Sequence, residues 1–468
     1  MPEKHASQSA LDEQNEGACE TVSSLGTSPL ASLFRAAGER IASLREIQRV
    51  LGGSFALRTG AKALGREIKA RSQLKRPGIV THAPAIAAAQ ERSVKDGLLF
   101  VGYVEASLGL GQSLRGVIEA AERAGLPFAI LPYNHQVEGR FMGPFKPHRY
   151  DRRSRYRVNL LEVAPDQVAH LRAVMGPERF ETSHTILRSY WELADIPVAW
   201  HGPLSECDEI WAPSHFVKEA LGSHIGVPVL VMPPAVDVTI NQGLSRNELG
   251  LKADVYYFTF TFDLASYPKR KNPLGVVAAF QRAFPARTEK VGLILKYARV
   301  PGLFEAYQVA IELAAADDPR IIIVHQDLSR DAFLSLLAAS DAYVSLHRSE
   351  GLGLGMIEAM MLGRPVIGTD YSGSREFLTP ETGFPIRCSL VPVRRHDYPH
   401  AAGQRWAEPD LSHAAEVMRM VFEQPHRAQA IARSGQKAAE ARYGLAAVGA
   451  AMKLRFEAVI EGRHQPLS

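Results

Sequence analysis

Cysteine is scarce, with three in 468 residues: Cys19, Cys207 and Cys388, far apart and odd in number. That excludes a disulfide framework or a cysteine-built metal site and fits a reducing cytoplasm, the expected location. Long apolar runs are missing too. No segment reaches the roughly eighteen residues that suggest a membrane-spanning helix. The N-terminal stretch MPEKHASQSALDEQNEGACE lacks the apolar core of a secretory signal. Net charge is slight, +4 from 54 Lys and Arg against 50 Asp and Glu, and no nucleic-acid partner is expected. What remains, 46% apolar and 22% charged residues, is the profile of a soluble globular protein. The length suggests two or three domains.

The charge is unevenly spread. Between Arg35 and Arg76 stand eleven Lys or Arg against three Glu, an excess larger than that of the whole chain. The same stretch has helical apolar spacing, at Leu33, Ala37, Ile41 and Leu44 and again at Leu57, Ala61, Leu64 and Ile68. Gly52-Gly53 separates the two helices, and Pro77-Gly78 ends the block. Basic amphipathic helices predict that residues 30–76 bind an anionic membrane surface or a lipid-linked acceptor, at about 1 kcal/mol per basic residue near the surface. A solvated helical extension is the other reading. Residues 1–28 read as a disordered polar tail, and 29–95 as the basic helical extension.

Beyond it strands and helices alternate. Leu98–Val101 reads as a buried strand, Leu108-Gly-Leu-Gly111 as a glycine loop, and the residues through Leu114, Val117 and Ala121 as a helix. Pro127–Leu131 is the next strand, and others are expected at 158–163, 185–190, 209–212 and 227–232. A second alternation follows the polar stretch Asn241–Leu251. Its strands are expected at 256–262, 291–297, 321–325, 342–346 and 365–369, with helices at 274–284, 303–314, 330–339 and 354–362. Near-continuous apolar runs such as Ile321–Val324 imply strands covered on both faces, as in a parallel sheet. After Pro409 the chain reads as wholly helical. The expected domains are 96–240 and 241–440, with 441–468 as a final helix.

The most informative segment is Ser345-Leu-His-Arg-Ser-Glu-Gly-Leu-Gly-Leu-Gly-Met-Ile-Glu358. A strand ends, glycines follow at Gly351, Gly353 and Gly355, and a helix starts at about Leu354. Glycine lets backbone N–H groups approach a ligand closely, and a helix N-terminus favours an anion. Glu350 and Glu358 flank this loop. A carboxylate repels a phosphate, so each should face sugar hydroxyls. A diphosphate with a sugar at each end is the shape of a nucleotide-sugar. Alone, the segment also fits a turn before a core helix. Three features tip the balance. Arg270 and Lys271 stand at the end of a strand in an open α/β sheet, where ligands bind. Lys296 ends an apolar strand, where an unpaired buried charge is costly, so it should point into a cleft or else snorkel to solvent. Tyr371-Ser-Gly-Ser-Arg-Glu376 offers a second Gly/Ser turn opening a helix, with Ser372 and Gly373 at its head.

Residues 262–414 resemble the retaining glycosyltransferases of sequence family 4, which have the GT-B fold. Glu350 and Glu358 match that family's pair of glutamates seven residues apart, and Lys271-Asn272 resembles its Lys-Gly pair. Pro234-Ala-Val-Asp237 resembles the turn that closes its N-terminal domain. Tyr190-Trp-Glu-Leu193, Asp208–Ser214, Tyr371-Ser-Gly373, Leu390-Val-Pro-Val393 and Trp406–Asp410 resemble a bacterial subgroup associated with surface polysaccharide synthesis. The resemblance implies an α/β architecture of GT-B type: two Rossmann-like domains facing across a cleft, with a helical N-terminal extension and the last helix packed on the N-terminal domain. It implies that Gly109 and Gly111 lie opposite the donor phosphates, though a plain tight turn fits them locally. It also places Glu350 at the transferred sugar and Glu358 at the ribose. Two departures stand out. Relatives carry an Arg where Ser266 stands, so Arg270 or Lys296 should take its role. They carry a His where Glu162 stands, and His184 or His201 could substitute. Trp191 and Glu192 either line the acceptor side or, respectively, pack in the core and pair with an arginine.

The function implied is transfer of a hexose, of mannose or glucose type, from a GDP- or UDP-sugar to a glycan or lipid-linked acceptor with retention. Lys271, Arg270 and the N–H groups of Gly353, Leu354 and Gly355 would stabilise the leaving diphosphate. No Asp-x-Asp pattern marks the site region, so neither a metal nor a resident cofactor is expected. The alternatives are a sugar-nucleotide 2-epimerase or hydrolase on the same fold, and a non-catalytic sugar-nucleotide-binding protein.

Overall fold

The computed structural model describes residues 94–462 except 136, 138–140, 223–224 and 299–303. The tail, the basic block and nearly all of the helical extension therefore lie outside the described residues. Short apolar runs form the strands, and most are buried along their length, so helices must cover both faces. The first alternation gives β1 (Lys95–Gly102), α1 (Gly109–Arg123), β2 (Phe128–Pro132), β3 (Tyr156–Glu162), α2 (Val168–Met175) and α3 (Pro177–Glu181). It continues with β4 (His184–Arg188), α4 (His201–Ser205), β5 (Glu209–Ala212), α5 (His215–Gly222) and β6 (Val229–Val231). These strands make a six-stranded parallel sheet in the order β2-β1-β3-β4-β5-β6.

The second alternation gives β7 (Tyr256–Thr261), α6 (Pro268–Lys271), α7 (Pro273–Ala283), β8 (Val291–Lys296), α8 (Glu305–Ala316), β9 (Ile321–Val324) and α9 (Arg330–Ala339). After it come β10 (Ala342–Ser345), α10 (Leu354–Met361), β11 (Val366–Thr369) and β12 (Phe384–Ile386). Its sheet is also parallel and six-stranded, in the order β12-β11-β10-β7-β8-β9. The order reverses between β7 and β10. At such a switch point the loops leaving the two strands part to opposite faces and open a crevice at the C-terminal edge. The first sheet has the same reversal between β1 and β3.

An antiparallel hairpin, β13 (Cys388–Pro392) with β14 (Arg405–Pro409), follows. Nothing in the pattern announced it: β13 is largely exposed and has no buried alternation. Three helices end the chain: α11 (Leu411–Glu423), α12 (Pro425–Tyr443) and α13 (Leu445–Ile460). Val448, Met452 and Val459 of α13 share one core with Val117, Ile118 and Ala121 of α1. Gly449 makes this close, since a Cβ there would come within 2.4 Å of the Ala120 carbonyl oxygen.

Two expectations need correction. Gly109 and Gly111 belong to the first turn of α1, not to a loop before it. The Tyr371–Glu376 segment does not open an α-helix; it forms a short 3-10 turn over Ser372–Glu376.

Candidate active site

The loops leaving β7 and β10 carry the candidate residues to the switch point. After β7 the chain turns at Tyr267 and makes the single turn α6, which ends at Asn272 with φ of +57°. That left-handed conformation favours glycine and, next, asparagine. Asn272 thus meets the backbone requirement that a glycine would meet after Lys271. Its side chain also caps α7 by accepting from Gly275 N at 3.2 Å and donates to the Leu346 carbonyl at 2.8 Å. One residue ties the two loops together.

Lys271 Nζ donates to Glu350 Oε1 at 2.6 Å, and Arg270 Nη1 lies 3.1 Å from Glu350 Oε2. Burial alone would push the Glu350 carboxyl up. The charges of Lys271, Arg270 and His347, and the Lys271 hydrogen bond, outweigh it and hold the group at about 2. Arg270 is only 3% exposed. Its Nη1 also donates to the Ser349 carbonyl at 2.9 Å and its Nη2 lies 3.5 Å from Glu192 Oε1. Arg270, expected to meet the leaving diphosphate, is enclosed by Glu350, Glu192 and the Ser349 carbonyl. Lys271 keeps partial exposure.

The glycine loop is shaped by contacts on both sides. Gly353, with φ of +108°, precedes the first turn of α10. Among the described residues no hydrogen bond occupies the N–H groups of Gly353, Leu354 or Gly355. A Cβ on Gly355 would meet the Tyr343 hydroxyl at 2.6 Å. Ser372, at φ of +63°, accepts from Glu350 N at 2.9 Å, and Gly373 N donates to the Glu350 carbonyl at 2.9 Å. Ser372 and Gly373 therefore clamp the loop. His347 is fully buried, with Nε2 3.2 Å from Ser374 Oγ and Nδ1 3.2 Å from Ser345 Oγ. Burial pushes its imidazole down to about 4, so it is neutral at pH 7.

Glu358 sits in α10, buried, with Oε1 2.5 Å from Arg330 Nη1, and Arg330 Nη2 donates to the Asp237 carbonyl at 2.8 Å. Lys296 ends β8 at the same sheet edge, 9% exposed, and its Nζ has no hydrogen-bond or ion-pair partner among the described residues. Burial lowers its pKa against the opposing pull of Asp327 and Asp263.

The segments after β4 and β5 of the first sheet meet this loop. Ser214 Oγ donates to the Gly351 carbonyl at 2.6 Å, and Ser349 Oγ donates to the Glu192 carbonyl. A Cβ on Gly351 would lie 2.9 Å from the Trp191 carbonyl oxygen. The C-terminal edges of the two sheets thus face each other. Trp191 packs in the core at 3% exposure against Trp200 and Tyr398. Its side chain does not line an acceptor surface, whereas Glu192 reaches Arg270. His184 also needs correction. It starts β4, at the N-terminal edge of the sheet, and lies 3.4 Å from Glu209, which pairs with Arg455 of α13. That is the end of the strand away from the cleft. Glu162 ends β3, fully buried, in a pair with Arg188 at 2.9 Å. Gly109 faces open space, while a Cβ on Gly111 would collide with the carbonyl oxygens of Tyr103 and Ala106 at 2.5 Å.

Arg330, Ser214, Ser349 and Tyr398 escaped the sequence reading. Ser214 and Ser349 lie inside motifs that were read for their neighbours, and for all four the partner is not a neighbour in sequence. Among the described residues no group of three or more His, Cys, Asp or Glu is placed to hold a metal, and no helix is long and apolar enough to cross a membrane.

Residues 308–389 match the family described as "Glycosyl transferases group 1". No curated protein matches the chain by sequence. Among solved structures, Anabaena Alr3699/HepE in complex with UDP and glucose aligns with a TM-score of 0.55 at 14% identity, over 77% of this chain and 99% of that one. Sucrose-phosphate synthase from Thermosynechococcus elongatus aligns with a TM-score of 0.57 at 15% identity, over 78% and 100%. A glycosyltransferase from Rickettsia africae ESF-5 gives 0.56 at 13%, over 79% and 100%. The fold is GT-B, with two Rossmann-like halves.

Proposed function

We propose that this protein transfers a hexose, of mannose or glucose type, from a GDP- or UDP-sugar to a glycan or lipid-linked acceptor, with retention and without a metal. In this reading the donor domain is 241–440 and the acceptor domain 96–240. One observation carries it: along one sheet edge, at and beside the switch point, stand a partly exposed lysine already paired with a carboxylate, a buried lysine with no partner among the described residues, and three N–H groups without hydrogen bonds among the described residues. That arrangement suits a dianionic diphosphate flanked by hydroxyl-bearing groups. The complex of Alr3699/HepE with UDP and glucose supports a UDP-hexose as the first donor to try.

Transfer needs charge stabilised on the leaving oxygen as C1 gains oxocarbenium character. Lys271, Lys296 and the N–H groups of Gly353, Leu354 and Gly355 supply it, the preorganised electrostatic kind of catalysis. Glu350, braced by Arg270, accepts from a hydroxyl of the transferred sugar. Glu358, braced by Arg330, accepts from the ribose. Glu192 faces the acceptor. No carboxylate stands free as a nucleophile among the residues assembled here, so attack occurs on the face the leaving phosphate departs from, with that phosphate taking the acceptor's proton.

The test is a thermal-shift screen over GDP- and UDP-sugars, followed by NMR of the product formed with a glycan acceptor. The expected result is a shift with one donor and an anomeric configuration equal to the donor's. An inverted product would overturn retention. Conversion of the donor with no acceptor present would favour an epimerase or hydrolase. Binding with no turnover on any acceptor would favour a non-catalytic binding protein.

A further inference from the structure

The hairpin β13–β14 does something that two facing sheets do not require. The loop joining its strands reaches the segment after β4. Gln404 Nε2 donates to the Asp195 carbonyl at 2.8 Å, and its Oε1 accepts from Asp195 N at 3.3 Å. Val393, Tyr398, Ala401 and Trp406 are buried in the same core as Trp191 and Leu193. At the other side of the loop, Asp397 pairs with Lys269 at 2.6 Å.

Tyr398 is where these contacts converge. Its ring lies 5.5 Å from that of Trp191 and 4.8 Å from that of Tyr267, and the Arg270 guanidinium stands 5.9 Å over it. Its hydroxyl donates to Glu192 Oε2. Burial first, and then the Glu192 charge, push the phenol well above its ordinary value, so it remains a donor. Among the described residues the Glu192 carboxylate is otherwise met only by Arg270, at 3.5 Å. One long contact leaves a carboxylate free to turn toward solvent, and Glu192 is partly exposed. Two contacts on its two oxygens fix its plane. We propose that Tyr398 is a positioning residue: it holds Glu192 on Arg270, so that the acceptor-side carboxylate meets the incoming hydroxyl beside Glu350. This rests on the donor and acceptor assignment above, and it makes the hairpin part of the acceptor site.

Tyr398→Phe keeps the ring and removes only the hydroxyl. The expected result is a fall in kcat, or a rise in acceptor KM, of about tenfold, the effect of losing a hydrogen bond to a charged group. Nucleoside diphosphate affinity by calorimetry and donor KM should stay within about twofold, because every donor contact lies on other residues. The double variant with Glu192→Gln should be no worse than Glu192→Gln alone. A crystal structure of Tyr398→Phe should show Glu192 turned off Arg270. If Glu192 stays in place with rates unchanged, or if donor affinity falls in parallel with Tm and the double variant is additive, the proposal is wrong. If no nucleotide-sugar is turned over by the unaltered protein, the functional reading fails, while the crystal structure of the variant still decides whether Tyr398 positions Glu192.

Discussion

Lys271 and Glu350 meet at 2.6 Å although they leave different strands of the second sheet, β7 and β10. In the proposed reading, a bound donor phosphate takes the place of Glu350 on Lys271. Lys271 can leave Glu350 for a phosphate because Arg270 remains on the carboxylate. That is why a buried guanidinium still belongs to the site.

The two glutamates should separate cleanly. Ribose contacts persist from ground state to transition state, so Glu358→Gln should weaken nucleoside diphosphate binding and mainly raise donor KM. Glu350→Gln should leave that binding nearly intact and lower kcat. It should also destabilise the fold, because Arg270 loses its nearest carboxylate; removing one partner of a buried pair costs about 3–5 kcal/mol. Calorimetry with the free nucleoside diphosphate, beside urea unfolding, reads both effects. Loss of binding in Glu350→Gln alone would reverse the assigned roles.

His347 predicts a pH dependence of stability. Its folded value of about 4 lies below the ordinary imidazole value of about 6.5. Between them the unfolded chain binds a proton that the folded one does not, so stability rises with pH across that window. It should be fully present above about pH 6.5 and decline as pH falls toward about 4, by at most about 1.4 kcal/mol per pH unit from this residue. Glu350 adds its own loss only below the ordinary carboxyl range, as pH falls toward about 2. Urea midpoints at pH 7 and pH 5 should differ less in His347→Asn than in the unaltered protein. Equal differences would show that another group titrates in that window.

Glycines at the two sheet edges should respond oppositely. A Cβ on Gly373 would stand 2.2 Å from the Gly351 carbonyl oxygen, so Gly373→Ala must shift the glycine loop. The expected loss is about 1–3 kcal/mol, together with nucleoside diphosphate affinity. Gly109 has open space around it, so Gly109→Ala should be neutral or slightly stabilising in Tm. If Gly109 faces the diphosphate, affinity should still fall in that variant; unchanged affinity would remove it from the donor site.

Asn272 offers a test of backbone against side chain. Asn272→Ala forces a Cβ-bearing residue without a local hydrogen bond to keep φ of +57° and loses the cap, together about 2 kcal/mol or more. Asn272→Gly accepts the conformation and should cost less. Circular dichroism melts of the two variants check the order, and a glycine variant no more stable than the alanine one would show that the Leu346 bond dominates.

The sequence by itself determined the alternation of strands and helices, because apolar runs of strand length and helical spacing are local properties. It determined the glycine loop with its flanking glutamates for the same reason: the residues are neighbours, and their chemistry reads without a fold. It also held Trp191 and Glu192 as open between two roles, since a local pattern cannot say whether a side chain points into a core or a cleft. Only the tertiary structure decided that Trp191 is core and that Glu192 reaches Arg270. It moved His184 to the far edge of its sheet, because position along a strand has meaning only once the other strands are aligned beside it. It gave Glu358 a partner in Arg330, and Glu192 a partner in Tyr398 more than two hundred positions away. Such pairs are invisible in a chain read from end to end: the energy that joins them depends on distance in space, which is set by the packing of elements that are not neighbours in sequence.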